Sequence, residues 1–150
     1  MKAGPERELF SRYAERAAAL APSVGISRVE WRELDESRAG RAEDRRAEEA
    51  RAIVAAVPKG AWLTALDERG VALTSAQWAG EIARVRDGAA SAYAVVIGGP
   101  DGIAPALLAT ARSAVSFGAM TWPHQLVRVL AAEQLYRILT ILAGHPYHRA

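Results

Sequence analysis

The stretch "YAVVIGGPDG", residues 93–102, decides the fold. An apolar run without polar alternation leads into a turn that holds three glycines and a proline. A short continuous apolar run bounded by turn residues is the pattern of a strand buried on both faces, as in a parallel sheet. "AWLTALD", residues 61–67, is a second such run, ending in an acid, and "SFGAMTW", residues 116–122, reads as a third. "VGISRVEWREL", residues 24–34, alternates at Ile26, Val29, Trp31 and Leu34 and is expected to be a further strand.

Helical patterns lie between these runs. Pro5 to Leu20 carries Leu9, Phe10, Tyr13 and Ala17 at helical spacing, with a proline at its start. Residues 35–57 read as a charged helix with a thin alanine face. "TSAQ", residues 74–77, has the spacing of a capping box, with a helix running on to about Asp87. Pro105 is expected to start a helix reaching about Ser113, and Pro123 a last one reaching about Ala143. Strands alternating with helices predict an α/β fold: a mostly parallel sheet covered by helices on both faces, in a single domain over residues 1–150.

Composition narrows the chemistry. The chain has no cysteine, which removes disulfides, thiolate metal sites and cysteine nucleophiles. Hydrophobic residues make up 51%, yet no run approaches the length of a membrane span, and "MKAGPERELF" has no signal-peptide stretch. A cytoplasmic location with no membrane partner is the expectation. Net charge is only +2, but residues 76–150 hold six arginines against four acids, Glu81, Asp87, Asp101 and Glu133, and all three histidines. Arginine outnumbers lysine 17 to 2. That suits bidentate phosphate contacts, although codon bias in an alanine-rich chain explains it equally simply.

In parallel sheets, ligands bind beyond the carboxyl ends of the strands. Three loops qualify: "LDERG" (66–70), "IGGPDG" (97–102) and "MTWPH" (120–124). Gly98 and Gly99 could bring bare backbone amides near a ligand, or could serve an ordinary strand-to-helix turn. There is no G-x-G-x-x-G, no P-loop lysine and no G-x-S-x-G. Asp67 and Glu68 are neighbours in a turn and point apart, so paired-carboxylate hydrolysis is not expected. His124, His145 and His148 have no cysteine or acid among them, and no metal site is expected.

The last helix, "PHQLVRVLAAEQLYRILTILAG", is apolar almost all round. His124 and Arg128 share one side and Glu133 and Arg137 roughly the opposite one, so no single solvated face holds both pairs. A covering partner subunit is expected. Glu133–Arg137 is at its simplest an i,i+4 ion pair. The chain then ends on "GHPYHRA", residues 144–150, with two of its three histidines in a tail that needs neither unless it is folded into a site.

"LDERG", "IGGPDG", "MTWPHQLVRVLAAEQLYR" and the terminal "HPYHR" together resemble the RlmH family, bacterial methyltransferases of the SPOUT class. The resemblance runs from about Lys2 to the end. It implies S-adenosyl-L-methionine as methyl donor and N3 of a pseudouridine in 23S ribosomal RNA, on the ribosome, as the target. It also implies a homodimer and a C-terminal trefoil knot, which periodicity cannot show. By position, Leu66, Gly98, Phe117, Gly118, Ala119, Met120, Thr121 and Trp122 match the family's cofactor-binding residues. The tail is implied to fold over the methyl-donor site. Within it, His148 or His145 would stand near the target base, Tyr147 would stack or hydrogen-bond, and Arg149 would grip phosphate or a carbonyl. Which residue, if any, takes the proton stays open, because orientation and desolvation can suffice for an acidic imide. Arg128 and Arg137 are further candidates for RNA contact.

Family members usually open with an additional apolar strand before the segment matching "KAGPERELF". That first strand is expected to be absent here, leaving a shorter sheet with the cofactor half intact. Two other functions fit the same fold: a non-catalytic RNA- or ribosome-binding module, and a methyltransferase acting on a small molecule.

Overall fold

A computed structural model of the chain describes residues Met1 to His148. The described residues fall into two compact units. One contains residues 1–31, 73–88 and those from Gln125 on; the other contains residues 32–72 and 89–124.

The second unit holds the sheet. Strands β1 (Trp62–Val71), β2 (Tyr93–Ile97) and β3 (Ser113–Val115) lie in the order β2-β1-β3, and both pairings are parallel. The α/β class with a parallel sheet is therefore as expected. Ala65 is in register with Val96, and these two form a core with Ile103, Ala104 and Leu107. Helix α2 (Ala42–Ala56) adds Ala50 and Ile53 to that core, and α4 (Pro105–Thr110) adds Leu108. On the alternate residues of β1, fully buried Thr64 shares a hydrogen bond of 2.7 Å with its register partner Ser113, whose hydroxyl also accepts from the Trp62 indole N–H at 3.3 Å. The buried hydroxyls thus satisfy one another.

The first unit is helical. Ala17 and Ala21 pack on Leu139, all three fully buried, with Leu20, Val24, Ile26, Val29, Leu135 and Tyr136 around them. Helix α1 spans Pro5–Leu20, as the sequence predicts; α3 spans Ser75–Asp87; α5 spans His124–Ala143. The capping box at α3 forms in full, Gln77 N–H donating to Thr74 Oγ1 at 3.1 Å and Thr74 N–H donating to Gln77 Oε1 at 2.8 Å.

Four expectations need correction. Residues 24–34 are not a strand: among the described residues they join no ladder. Ile26 and Val29 instead pack against the helical core, and Trp31 sits edge-on to Phe10 at 4.8 Å. Alternation marks a strand only if a neighbour supplies the ladder. The charged helix starts at Ala42, not Asp35. The Ser37 N–H bonds Glu49 Oε2 at 2.9 Å and the Ala39 N–H bonds Ser37 Oγ at 3.1 Å, and such local bonds compete with helix. Helix α4 stops at Thr110, and the third strand is Ser113–Val115, not residues 116–122. Gly118 has φ +107, and the Gly118 N–H turns back onto Ser116 Oγ at 3.0 Å, so residues 116–123 form a loop. Lastly, β1 does not end at Asp67. Both Leu66 and Val71 pair with Val115, so residues 67–70 bulge out of a strand that then resumes.

Candidate functional site

The register brings three strand ends to one edge. Leu66 of β1 stands between Ile97 of β2 and Val115 of β3. Gly98, the Asp67–Gly70 bulge and the Ser116–Phe117 turn therefore emerge together at the carboxyl edge of the sheet, where a parallel sheet offers unpaired backbone groups to a ligand. The Ser116 hydroxyl binds this edge internally, donating to the Glu68 carbonyl at 3.1 Å while the Ser116 N–H donates to the Val71 carbonyl at 2.9 Å. Gly70 lies so close to β3 that a Cβ there would stand 2.7 Å from the Ala114 carbonyl.

The glycine loop has a shape of its own. The Gly102 N–H donates to the Gly99 carbonyl at 2.9 Å, and Gly102 has φ +83. A Cβ on Gly98 would stand 2.8 Å from Ile103 Cγ1. Gly98 thus has a packing reason to be glycine, whatever ligand it also meets. Beyond Phe117, residues Gly118 to Trp122 run out along the surface. Met120 is 75% and Trp122 42% exposed, and nothing lies within 4 Å of where a Cβ on Gly118 would be. Leu66, Gly98 and Phe117 are thus gathered at one edge, whereas Ala119, Met120, Thr121 and Trp122 extend from it as an open, largely apolar strip. Bare backbone beside apolar side chains suits a flat heteroaromatic ring such as adenine.

As far as His148, the tail, in the helical unit, is folded rather than frayed. Gly144, at φ +70, closes α5: the His145 N–H reaches the Thr140 carbonyl at 2.9 Å and the Gly144 N–H reaches that of Ile141 at 3.2 Å, the two bonds of a Schellman motif. The Glu133 carboxylate anchors the segment beyond this turn. Its Oε1 accepts from Arg137 Nη2 at 2.6 Å, Arg137 Nε at 2.9 Å and the Tyr147 hydroxyl at 3.1 Å; its Oε2 accepts from Gln134 at 3.1 Å. Arg137 also donates to the His148 carbonyl at 3.3 Å and lies over the Tyr147 ring at 5.1 Å. Tyr147 packs on Tyr136 with ring centroids 4.7 Å apart. Burial, then hydrogen bonding with Tyr13, then the Glu133 charge push the Tyr147 phenol well above its ordinary value.

The two tail histidines differ. His145 is exposed, and its Nδ1 accepts the Tyr147 N–H at 3.2 Å. His148 has a buried Nδ1 with no hydrogen-bond partner among the described residues. Arg149 lies outside the described residues. Arg128 is half-buried on α5. His124 lies in the other unit, 3.7 Å from Glu36. Among the described residues no three His, Asp or Glu come together as metal ligands, and no helix is long and apolar enough to cross a membrane.

Sequence reasoning saw Tyr13 only as part of an apolar helical stripe, missing its hydrogen bond with Tyr147, and saw Glu133 only as an ion-pair partner. Its link to Tyr147 spans 14 residues and a chain reversal, and leaves no mark in local spacing.

Comparison with known proteins gives the lineage. A family model described as "Predicted SPOUT methyltransferase" matches residues 1–148. The protein named ribosomal RNA large subunit methyltransferase H in Methylocella silvestris is 53% identical over 148 residues, 99% of this chain and 92% of the relative. The chain belongs to the RlmH family of SPOUT methyltransferases. RlmH-family relatives of the same name in Bradyrhizobium sp. (strain ORS 278) and Methylobacterium nodulans are 53% identical over 150 residues and 54% over 149. Those matches cover 100% and 99% of this chain, and 93% and 92% of the relatives. The RlmH resemblance read from the four motifs is thereby shown over the whole described chain.

Proposed function

We propose that this RlmH-family chain transfers a methyl group from S-adenosylmethionine to N3 of a pseudouridine in 23S ribosomal RNA, acting in the cytoplasm on the ribosome. The observation that carries this reading is the likeness, over 99% of the chain, to relatives named ribosomal RNA large subunit methyltransferase H. The carboxyl-edge loops support it: Leu66, Gly98 and the 117–122 strip have the backbone and apolar character that the methyl donor needs.

S-adenosylmethionine, when bound, supplies an electrophilic methyl on a positively charged sulfur. The N3–H bond of the base must break, a bond from N3 to the methyl carbon forms, and the methyl–sulfur bond breaks with its electron pair going to sulfur. The products are N3-methylpseudouridine, S-adenosylhomocysteine and a proton. In this reading Leu66, Gly98 and residues Phe117 to Trp122 hold the adenosine and exclude water. His148 would stand near the target base to accept or relay the N3 proton, with His145, whose side chain is exposed, as the alternative. Arg149 and Arg128 take RNA phosphate or carbonyl oxygens. Arg137, whose donors are already engaged by Glu133 and His148, serves the RNA by holding the tail. Tyr147 acts as the tail's anchor.

The same reading includes one SPOUT domain threaded as a trefoil knot, and a homodimer. The dimer is supported by α5, which is apolar almost all round and leaves Leu126 39% exposed.

The test is transfer of labelled methyl from S-adenosylmethionine to ribosomes lacking the modification. Label on one pseudouridine, abolished by His148→Ala and by Arg149→Ala, is expected. Bound S-adenosylhomocysteine with no transfer would instead mark a non-catalytic ribosome-binding module. Transfer to small acceptors without ribosomes would overturn the RNA assignment.

A further inference from the structure

Asp101 lies in the glycine loop that follows β2, and its carboxylate is held from α2. Arg45 Nε donates to Asp101 Oδ2 at 2.7 Å and Nη2 to Oδ1 at 3.1 Å, a two-point fork. The remaining nitrogen, Nη1, donates to the carbonyls of Ala39 at 3.0 Å and Gly40 at 3.2 Å. One guanidinium thus ties together α2, the 37–40 turn and the glycine loop. Glu49, one helical turn further along α2, also holds the 37–40 turn and lies close to the glycine loop. Its Oε2 accepts the Ser37 N–H, and its Oε1 stands 3.3 Å from where a Cβ on Gly99 would be. The Arg45 and Asp101 side chains are 29% and 24% exposed, so water only partly screens the pair.

A fork of this kind fixes orientation as well as position, which a single-point lysine contact cannot do. Orientation is what this loop needs. Residues 98–102 hold three glycines, which have little intrinsic preference for one backbone shape. The loop's own bond, Gly102 N–H to the Gly99 carbonyl, closes its tip but does not aim it. The rigid element that aims it is α2.

We propose that Arg45 is a positioning residue for methyl transfer: through Asp101 it holds Gly98–Gly102 in the shape that receives the methyl donor, and so sets affinity for the donor rather than for RNA. This rests on the reading of Gly98 as a cofactor-binding residue. The ordinary alternative is a helix-to-loop ion pair that adds stability and nothing else.

The experiment measures binding of S-adenosylhomocysteine by calorimetry, and steady-state methylation of unmodified ribosomes, on the full chain. The variants are Arg45→Gln, Arg45→Lys, Asp101→Asn and the double Arg45→Gln/Asp101→Asn. Arg51→Gln, an exposed change on the same helix, controls for charge. Misplaced ligand-binding backbone has large effects, so each single variant is expected to raise Kd for S-adenosylhomocysteine and KM for S-adenosylmethionine by about tenfold or more. The kcat and the KM for ribosomes should stay near wild type. The double variant should be no worse than either single, because both remove one fork. Arg45→Lys, which keeps the charge and folds most readily, should fall with Arg45→Gln and not with wild type. Variants that melt earlier but bind S-adenosylhomocysteine as wild type does would overturn the inference alone. A wild-type chain that does not bind S-adenosylhomocysteine would overturn the cofactor reading and this inference with it.

Discussion

The Tyr147 hydroxyl donates to Oε1 of Glu133 at 3.1 Å, onto the same oxygen that receives two nitrogens of Arg137. One carboxylate on α5 therefore fixes both the arginine below the tail and the aromatic ring within it. Removing it takes an acceptor away from Arg137, Tyr147 and Gln134 in a half-buried setting. Glu133→Ala is expected to lower stability by about 1–2 kcal/mol. For a chain of this length that corresponds to a melting temperature lower by roughly 2–8 °C. Methyl transfer should fall with it, while binding of S-adenosylhomocysteine is retained. Calorimetric melting alongside ligand titration checks both, and loss of ligand binding would show that the anchor does more than hold the tail.

In the proposed reading Tyr147 anchors the tail and does not carry the proton, since burial, Tyr13 and Glu133 all favour its neutral form. The unfolded chain releases this proton near pH 10, whereas the folded chain keeps it to higher pH. The stabilisation is accordingly complete below about pH 10 and is lost as pH rises beyond it. Alkaline unfolding of wild type should show this loss, and Tyr147→Phe should flatten it. The phenylalanine variant should leave the pH–rate profile near neutrality unchanged in shape, and an altered profile there would count against the anchor role.

Asp101 behaves in the opposite sense. The hydrogen bonds from Arg45 hold its carboxyl below the usual aspartate range; burial opposes them, and the charges of Arg45 and then Arg46 add to the lowering, with Glu49 the nearby acid acting on Arg45. Its stabilisation is present above the unfolded aspartate value, about pH 4, and is lost as pH falls below that. The gap in melting temperature between wild type and Asp101→Asn should be widest near neutrality and close on acidification. A gap that does not change with pH would mean the loop is held by something other than the charged pair.

Gly70 is glycine for want of space. Its missing Cβ would meet the Ala114 carbonyl at 2.7 Å and the Val115 nitrogen at 2.8 Å, all backbone that cannot swing aside. Gly70→Ala should force β1 and β3 apart at the point where the strand rejoins the ladder. Overpacking of this kind is worth about 1–3 kcal/mol, read as a lower midpoint in urea with an unchanged slope. Gly118→Ala, where the space is open, should show only the milder penalty of its positive φ.

Much of this is legible in the sequence. The limits of α1 come from Pro5 and the apolar spacing up to Leu20, and the start of α3 from Thr74 and Gln77, because a helix end is specified by residues three or four apart. The strands at Trp62 and Tyr93 come from apolar runs bounded by turns. The Gly144 closure of α5 is equally open to reading. The third strand reads a few residues too late because "SAVSFGAMTW" is mostly apolar or small along its whole length, and only the ladder says that Ser113–Val115 pairs while Gly118 turns away.

By itself, the sequence determined which segments are helices, that the strands are parallel, which loops lie beyond their carboxyl ends, and the lineage written in four motifs. Each of these depends on neighbours within one turn or one strand, or on a motif read as a string. Tertiary structure alone decided that residues 24–34 stay out of the sheet, that residues 67–70 bulge, that Glu133 anchors Tyr147, and that Arg45 grips Asp101. The last two join residues 14 and 56 positions apart. A contact of that range exists only once the chain between has been folded back, so its energy cannot be seen in either residue's own surroundings.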